Sequence, residues 1–200
     1  DNHTSNRPYP AFCVSKQVSD AQREASLQQY LTDEEDRKLA QVAAGIESDG
    51  YRKWPRLQET ILFAKRMGYH KIGIATCVAL IRESRTLAKM LRANGFEVFG
   101  VGCKTGEIFK TALGIDAAHQ GPGPVACNPV LQAQLLNEAG TELNIVMGLC
   151  VGHDSLFYKH AQAVTTTLVV KDRVLVHNPV MALYTADGYY SNLMEPLEDE

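Results

Sequence analysis

Three nearly continuous apolar runs, "HKIGIATC" (70–77), "FEVFGVGC" (96–103) and "ELNIVMGLC" (142–150), alternate with stretches of helical periodicity. No other feature constrains this chain as strongly. A strand that is apolar on both faces needs cover on both faces, and parallel strands joined by crossover helices receive it. "ALIRESRTLAKMLRANG" (79–95) reads as one such helix. Asn128-Pro129 opens another that runs through Glu138, because Asn caps a helix start and Pro presets the first helical φ. Leu57 to Met67 reads as an amphipathic helix closed by Gly68, and further helical segments are expected at Glu107 to Leu113 and Asp154 to Ala161. "VTTTLVV" and "RVLVH", on either side of Lys171-Asp172, read as a terminal hairpin, and Asn178-Pro179 as the start of a last helix. The expected fold is α/β and three-layered, with a mostly parallel sheet of flavodoxin-like or Rossmann-like type. The C-terminal hairpin would add an antiparallel edge.

Ahead of this pattern the chain is different. Residues 1–17 are polar and read as a lead-in loop. Val18 to Ile46 favours helix, with the charged run Asp33 to Lys38 as a solvated face or an interhelix turn, before Gly50 and Pro55 break the pattern. The expected organisation is an N-terminal arm and helical extension over 1–55 and an α/β domain over 56–200, with the acidic tail "MEPLEDE" frayed. A net charge of −3 argues against nucleic-acid and anionic-membrane partners, since little here would neutralise a phosphate backbone. No apolar run approaches a membrane span. A small-molecule substrate or a redox partner is the class left. Five cysteines cannot all pair with one another, and a chain of 200 residues is stable without disulfide staples. A reducing, cytoplasmic setting is expected.

The placing of those cysteines carries the chemistry. Cys77, Cys103 and Cys150 end the three apolar runs, and Cys127 stands just before a helix start. Successive members are 26, 24 and 23 residues apart, about one strand–helix pair each. In a parallel sheet all carboxyl ends lie on one edge, where ligands bind in such folds, and neighbouring strands are roughly 4.8 Å apart. Four thiols at one edge can share a metal or cluster. Cys77, Cys127 and Cys150 also fall at or just before helix starts, which favours the thiolate. No CxxC pair gives a zinc-ribbon or ferredoxin spacing.

Other polar residues are candidates of lower rank. His153-Asp154 follow Cys150 directly. They are candidates for ligand or base and orienting carboxylate, although Asp154 also suits a helix cap. Lys171, Asp172 and Arg173 read as hairpin-turn residues or as a charged wall around an anionic substrate, and Lys104 beside Cys103 is a candidate thiolate or anion partner. Gly100-x-Gly102 lacks the spacing of a dinucleotide or phosphate loop. Gly148-x-Cys150-x-Gly152 has the spacing of a nucleophile elbow, and Asp172 and His177 follow in triad order. A cysteine hydrolase built on Cys150 is therefore a third-rank reading, since it leaves the other thiols unused and too little sheet follows Cys150.

"YPAFC" (9–13), "KIGIATC", "CNPVLQAQLLN", "NIVMGLCVGHDSLF" and "VVKDRVLVHNPV" together resemble a prokaryotic family, the domain of unknown function 1847, whose members are described as candidate metal-binding proteins. The resemblance covers nearly the whole chain, and "GLCVGHDSLF" and "KDRVLVHNP" are its most specific phrases. It implies a metal-binding character, with Cys13, Cys77, Cys127, Cys150, His153 and Asp154 as family positions.

The leading expectation is a thiolate site at the carboxyl edge of the sheet, with Cys77, Cys103, Cys127 and Cys150 as ligands and Cys13 as a fifth. An iron–sulfur cluster is the first expectation for it and zinc the second, since thiolates select both. Sulfur or redox chemistry on a small molecule would use His153, Asp154 and Lys171 as acid–base groups. An enzyme fits this pattern, and so does a zinc-binding or redox-sensing protein without catalysis.

Overall fold

A computed structural model describes residues 9–121 and 123–197. Residues 1–8 of the expected lead-in loop and 198–200 of the expected frayed tail lie outside them. The chain divides into two compact units, 1–53 and 54–200.

In the first unit two helices, α1 (Asp20–Thr32) and α2 (Glu34–Gly50), pack together. Ser19 and Gln22 form a reciprocal capping box at the start of α1. The charged run resolves as an interhelix turn, because the Asp33 carboxylate accepts from the amides of Glu35 and Asp36 and so starts α2. Cys13 belongs to this unit, in the turn before a short 3₁₀ segment over Val14–Lys16.

The second unit begins with α3 (Arg56–Met67), which ends on Gly68 in the left-handed conformation. Then follow β1 (Lys71–Thr76), α4 (Ile81–Ala93), β2 (Glu97–Gly102), α5 (Pro129–Glu138), β3 (Leu143–Met147), α6 (His153–His160), β4 (Val164–Val169) and α7 (Val180–Tyr184). The sheet order is β2-β1-β3-β4, and every pair is parallel. Alternation along the strands sends Ile72, Ile74, Leu143, Ile145 and Met147 to one face, into a core with Leu87 and Leu91 of α4 and Ala64 of α3. Ala75, Cys77, Cys103 and Val146 join the opposite core with Ala133 and Leu136 of α5 and Phe157 of α6. The expected three-layer α/β architecture is therefore the one observed.

The C-terminal edge differs from expectation. "VTTTLVV" forms β4, but it pairs parallel to β3, and "RVLVH" forms no strand. The Asp172 carboxylate accepts from the amides of Val174 (2.9 Å) and Leu175 (2.7 Å) and bends the chain at once. Val174 and Val176, which would have been the alternating apolar positions, are 76% and 86% exposed. The expected helix at 107–113 also shrinks to a 3₁₀ turn over Lys110–Leu113.

Candidate functional site: a row of thiols at the carboxyl edge

The sheet runs from β1 outward to β2 and then returns past β1 to β3. The crevice at the carboxyl ends of β1 and β3 is therefore a topological switch point, where this architecture binds ligands. The register is Ala75↔Val101 and Thr76↔Gly102, so the next residues of the two chains are Cys77 and Cys103. Both continue the face that carries Ala75 and Val101, and both are buried, at 7% and 3% exposure. Cys127 approaches from the loop before α5. Its neighbour Asn128 donates its backbone amide to the Cys103 carbonyl (2.7 Å), and the Asn128 side chain caps α5 through the Leu131 amide (3.0 Å).

The three thiols form a hydrogen-bonded row with Cys103 in the middle. Its two thiol neighbours push the Cys103 thiol far upward, and burial adds to this, so Cys103 keeps its proton. The outer thiols go the other way. The bond to Cys103 is the largest cause that brings Cys77 down to about 5, with help from the Ala79 amide and the Lys171 ammonium and against the cost of burial. The bond to Cys103 likewise brings Cys127 down to about 6, aided by the charges of Lys104 and His153. Acidity in the row is therefore shifted to the outer thiols, and the proton is held at Cys103. The Val78 amide also points at the Cys103 sulfur, at 3.4 Å.

Supporting residues fix this geometry. Gly148 ends β3 with φ +65°, and a Cβ there would lie 2.3 Å from Leu80 Cδ1 and 3.6 Å from Lys171 Cε. The bare backbone thus makes room for Leu80, and buried Lys171 passes beside it toward Cys77. Gln132, fully buried on α5, donates to the carbonyls of Thr76 (3.2 Å) and Val101 (2.7 Å). It pins the ends of β1 and β2 just before the two cysteines. Sequence reasoning missed Gln132. Its signal was its place on the inward stripe Pro129, Gln132, Ala133, Leu136.

The remaining candidates separate. Cys150 lies past the end of β3, in the turn before α6, and its sulfur accepts from Arg173 at 3.0 Å. That contact holds the Arg173 proton more tightly, and the charges of Cys77 and Cys127 add to it. His153 stands at the first turn of α6 and acts on Cys127 through its charge. Asp154 does not cap α6: the cap position is Gly152, and the Asp154 carboxylate accepts from the Ser155 amide. The elbow triad is not assembled. His177 Nδ1 accepts from the Asp172 amide, the Asp172 carboxylate serves its own turn, and Arg173 occupies the Cys150 sulfur. The Cys13 thiol is held below its usual range by Ser15, in its own unit.

All five cysteines are free. Among the described residues, no three His, Cys, Asp or Glu side chains are disposed to hold one metal ion. The donor chemistry of the row suits a soft metal, but its sulfurs are not disposed about one centre.

A protein-family profile described as "Protein of unknown function (DUF1847)" matches residues 13–168, a stretch that holds the whole row. The chain belongs to this family. It is also 49% identical over 162 residues to the uncharacterised protein MJ0455 of Methanocaldococcus jannaschii, a span of 81% of this chain and 83% of that protein. The match to the DUF1847 profile ends inside β4, before Lys171 and Arg173. No helix among the described residues is long and apolar enough to cross a membrane.

Proposed function

We propose that this DUF1847 protein works through Cys77, Cys103 and Cys127 as a thiol centre for redox or sulfur chemistry on a small molecule. The observation that carries this reading is the row itself, with Cys103 between two thiols of lowered pKa at the switch point of the sheet. A thiolate is the nucleophile in thiol–disulfide exchange, and a neighbouring thiol resolves the mixed disulfide. Cys77 sulfur attacks one sulfur of a small disulfide, the S–S bond breaks, and one thiolate leaves with its electron pair. The Cys103 proton passes to that leaving group. Cys103 sulfur then attacks Cys77 sulfur, which forms the protein disulfide and expels the second thiolate. An external dithiol restores the pair. Lys171 holds Cys77 as thiolate, and His153 supports Cys127 in the same way. The five free thiols suit a reducing, cytoplasmic setting.

The test is reaction of the reduced protein with a small aromatic disulfide, followed by peptide mapping. A Cys77–Cys103 or Cys77–Cys127 bridge with release of two thiols per chain is the expected result. Mixed disulfides that never resolve would refute it.

A second reading has one observation in its favour, the all-thiol donor set. The centre would then bind an iron–sulfur cluster or zinc, with Cys150 as a further donor. Anaerobic purification with iron, sulfide and zinc analysis decides between the two. Stoichiometric metal that disappears in Cys103→Ser supports the metal centre, and metal-free, fully reactive protein supports the thiol centre.

A further inference from the structure

We infer that the groove between α4 and the edge strand β2 is a binding site for a small organic anion that carries two or more charges on an apolar body. Nothing in the thiol chemistry uses this groove, which lies on the opposite face of the sheet, and the inference stands whether or not the thiol reading does.

The open groove has a volume of about 370 Å³, within the usual range for small-molecule sites. Its floor is apolar, built from Ile74, Ala88 and Val98, and its rim is cationic, built from Arg85, Lys89 and Arg92. The three cations sit at i, i+4 and i+7 on α4. They share one face and span about 10 Å at 1.5 Å per residue. No acidic residue lines the groove. Arg92 reaches the Val98 carbonyl at 3.2 Å, and Arg85 and Lys89 form no ion pair among the described residues. Three cations beside an apolar floor without counter-charges repel one another, and a polyanion would relieve that repulsion. Scattered charge alone would be an ordinary solvated helix face. The apolar floor of an open groove distinguishes this one.

On the groove face β2 presents Val98 and then two glycines, Gly100 and Gly102, so successive positions there carry no side chain. A Cβ at Gly100 would meet nothing within 4 Å, and its φ is one that any residue adopts. A strand position that tolerates a side chain but lacks one leaves the space empty. The chemistry that fits is that of a mononucleotide: a flat body on Ile74, Ala88 and Val98, with phosphates along Arg85 to Arg92. Side-chain cations would hold the phosphates here, so the missing glycine phosphate loop does not bear on the site.

Calorimetric titration of the full chain with ADP tests this, with inorganic phosphate and an oligoglutamate peptide in parallel. The expected result is one saturable ADP site, weakened about tenfold or more by Arg85→Ala and by Lys89→Ala, and by added salt. Gly100→Val should weaken binding, since it adds bulk to a lining position where a Cβ meets nothing within 4 Å. Should Gly100→Val fail to fold, the two exposed cation variants still decide. Absence of ADP binding, equal binding in the cation variants, or equal affinity for phosphate or oligoglutamate would overturn the inference.

Discussion

Cys77, Cys103 and Cys127 titrate as one set, the outer thiols lowered and the middle one raised, and their reactivity should show it. An ordinary thiol near 9.0 loses nucleophilicity about tenfold per pH unit below that value. Cys77 and Cys127, held near 5 and 6, should instead keep a nearly flat iodoacetamide rate from pH 8 down to about 6, while Cys103 stays unlabelled. Peptide mass spectrometry after timed alkylation reads this directly. Lys171→Met should slow Cys77 selectively below pH 7, because the ammonium that faces its thiolate is gone. Equal slowing at Cys127 would place Lys171 elsewhere in the site. Gly148→Ala should cost about 2–4 kcal/mol in urea denaturation, since it combines a left-handed φ with a Cβ against Leu80.

At the scale of elements, what holds the thiols in place is the register of β1 on β2 and the pinning of both ends by α5. Gln132→Leu keeps the volume but leaves the Thr76 and Val101 carbonyls without their donor. A loss of about 1–3 kcal/mol is expected. Much of this was legible in the sequence. The apolar runs located β1, β2 and β3, Asn128-Pro129 located α5, and the strand-end position of Cys77 and Cys103 predicted their convergence. The parity was also readable, since Cys77 follows Ala75 and Cys103 follows Val101 by two residues on the same face. The last hairpin was misread for a physical reason. "RVLVH" has the alternation of a strand, but a single carboxylate two residues upstream of Val174 takes two amides and turns the chain. Periodicity measures where apolar residues recur, not whether anything covers them, and Val174 and Val176 face solvent. The Arg173–Cys150 contact was hidden by the same misreading.

For the whole molecule, the row couples protonation to folding. The outer thiols are depressed, so their contribution to stability is complete above the unfolded value near 9.0 and is lost as pH falls through about 6 and then about 5. Cys103 is raised, so its contribution is present below 9.0 and lost above it. Between about 6 and 9 the unfolded chain binds more thiol protons than the folded one, and stability should rise with pH before it turns over. Urea midpoints at pH 6, 8 and 10 check this, and the rise should flatten in the Cys77→Ser, Cys127→Ser double variant. The division between the two compact units falls between Lys53 and Trp54, and both hydrophobic cores lie in the second. A chain that begins at Trp54 should keep a cooperative melt and the full thiol reactivity, as judged by circular dichroism and alkylation.

Val176 and His177 both adopt left-handed backbone, at φ +51° and +62°, which is costly for a β-branched residue. The turn they close is tied to itself by Asp172 and to the sheet edge by the Arg173 contact with Cys150. A strained, solvent-facing turn with so few anchors is where a native protein opens first. Amide hydrogen exchange at Val174, Leu175 and His177 should therefore outpace exchange in β3 by orders of magnitude. Each such opening frees Cys150 from Arg173, so the lifetime of its exposed thiol is set by the breathing of six residues, Asp172 to His177, rather than by unfolding of the domain.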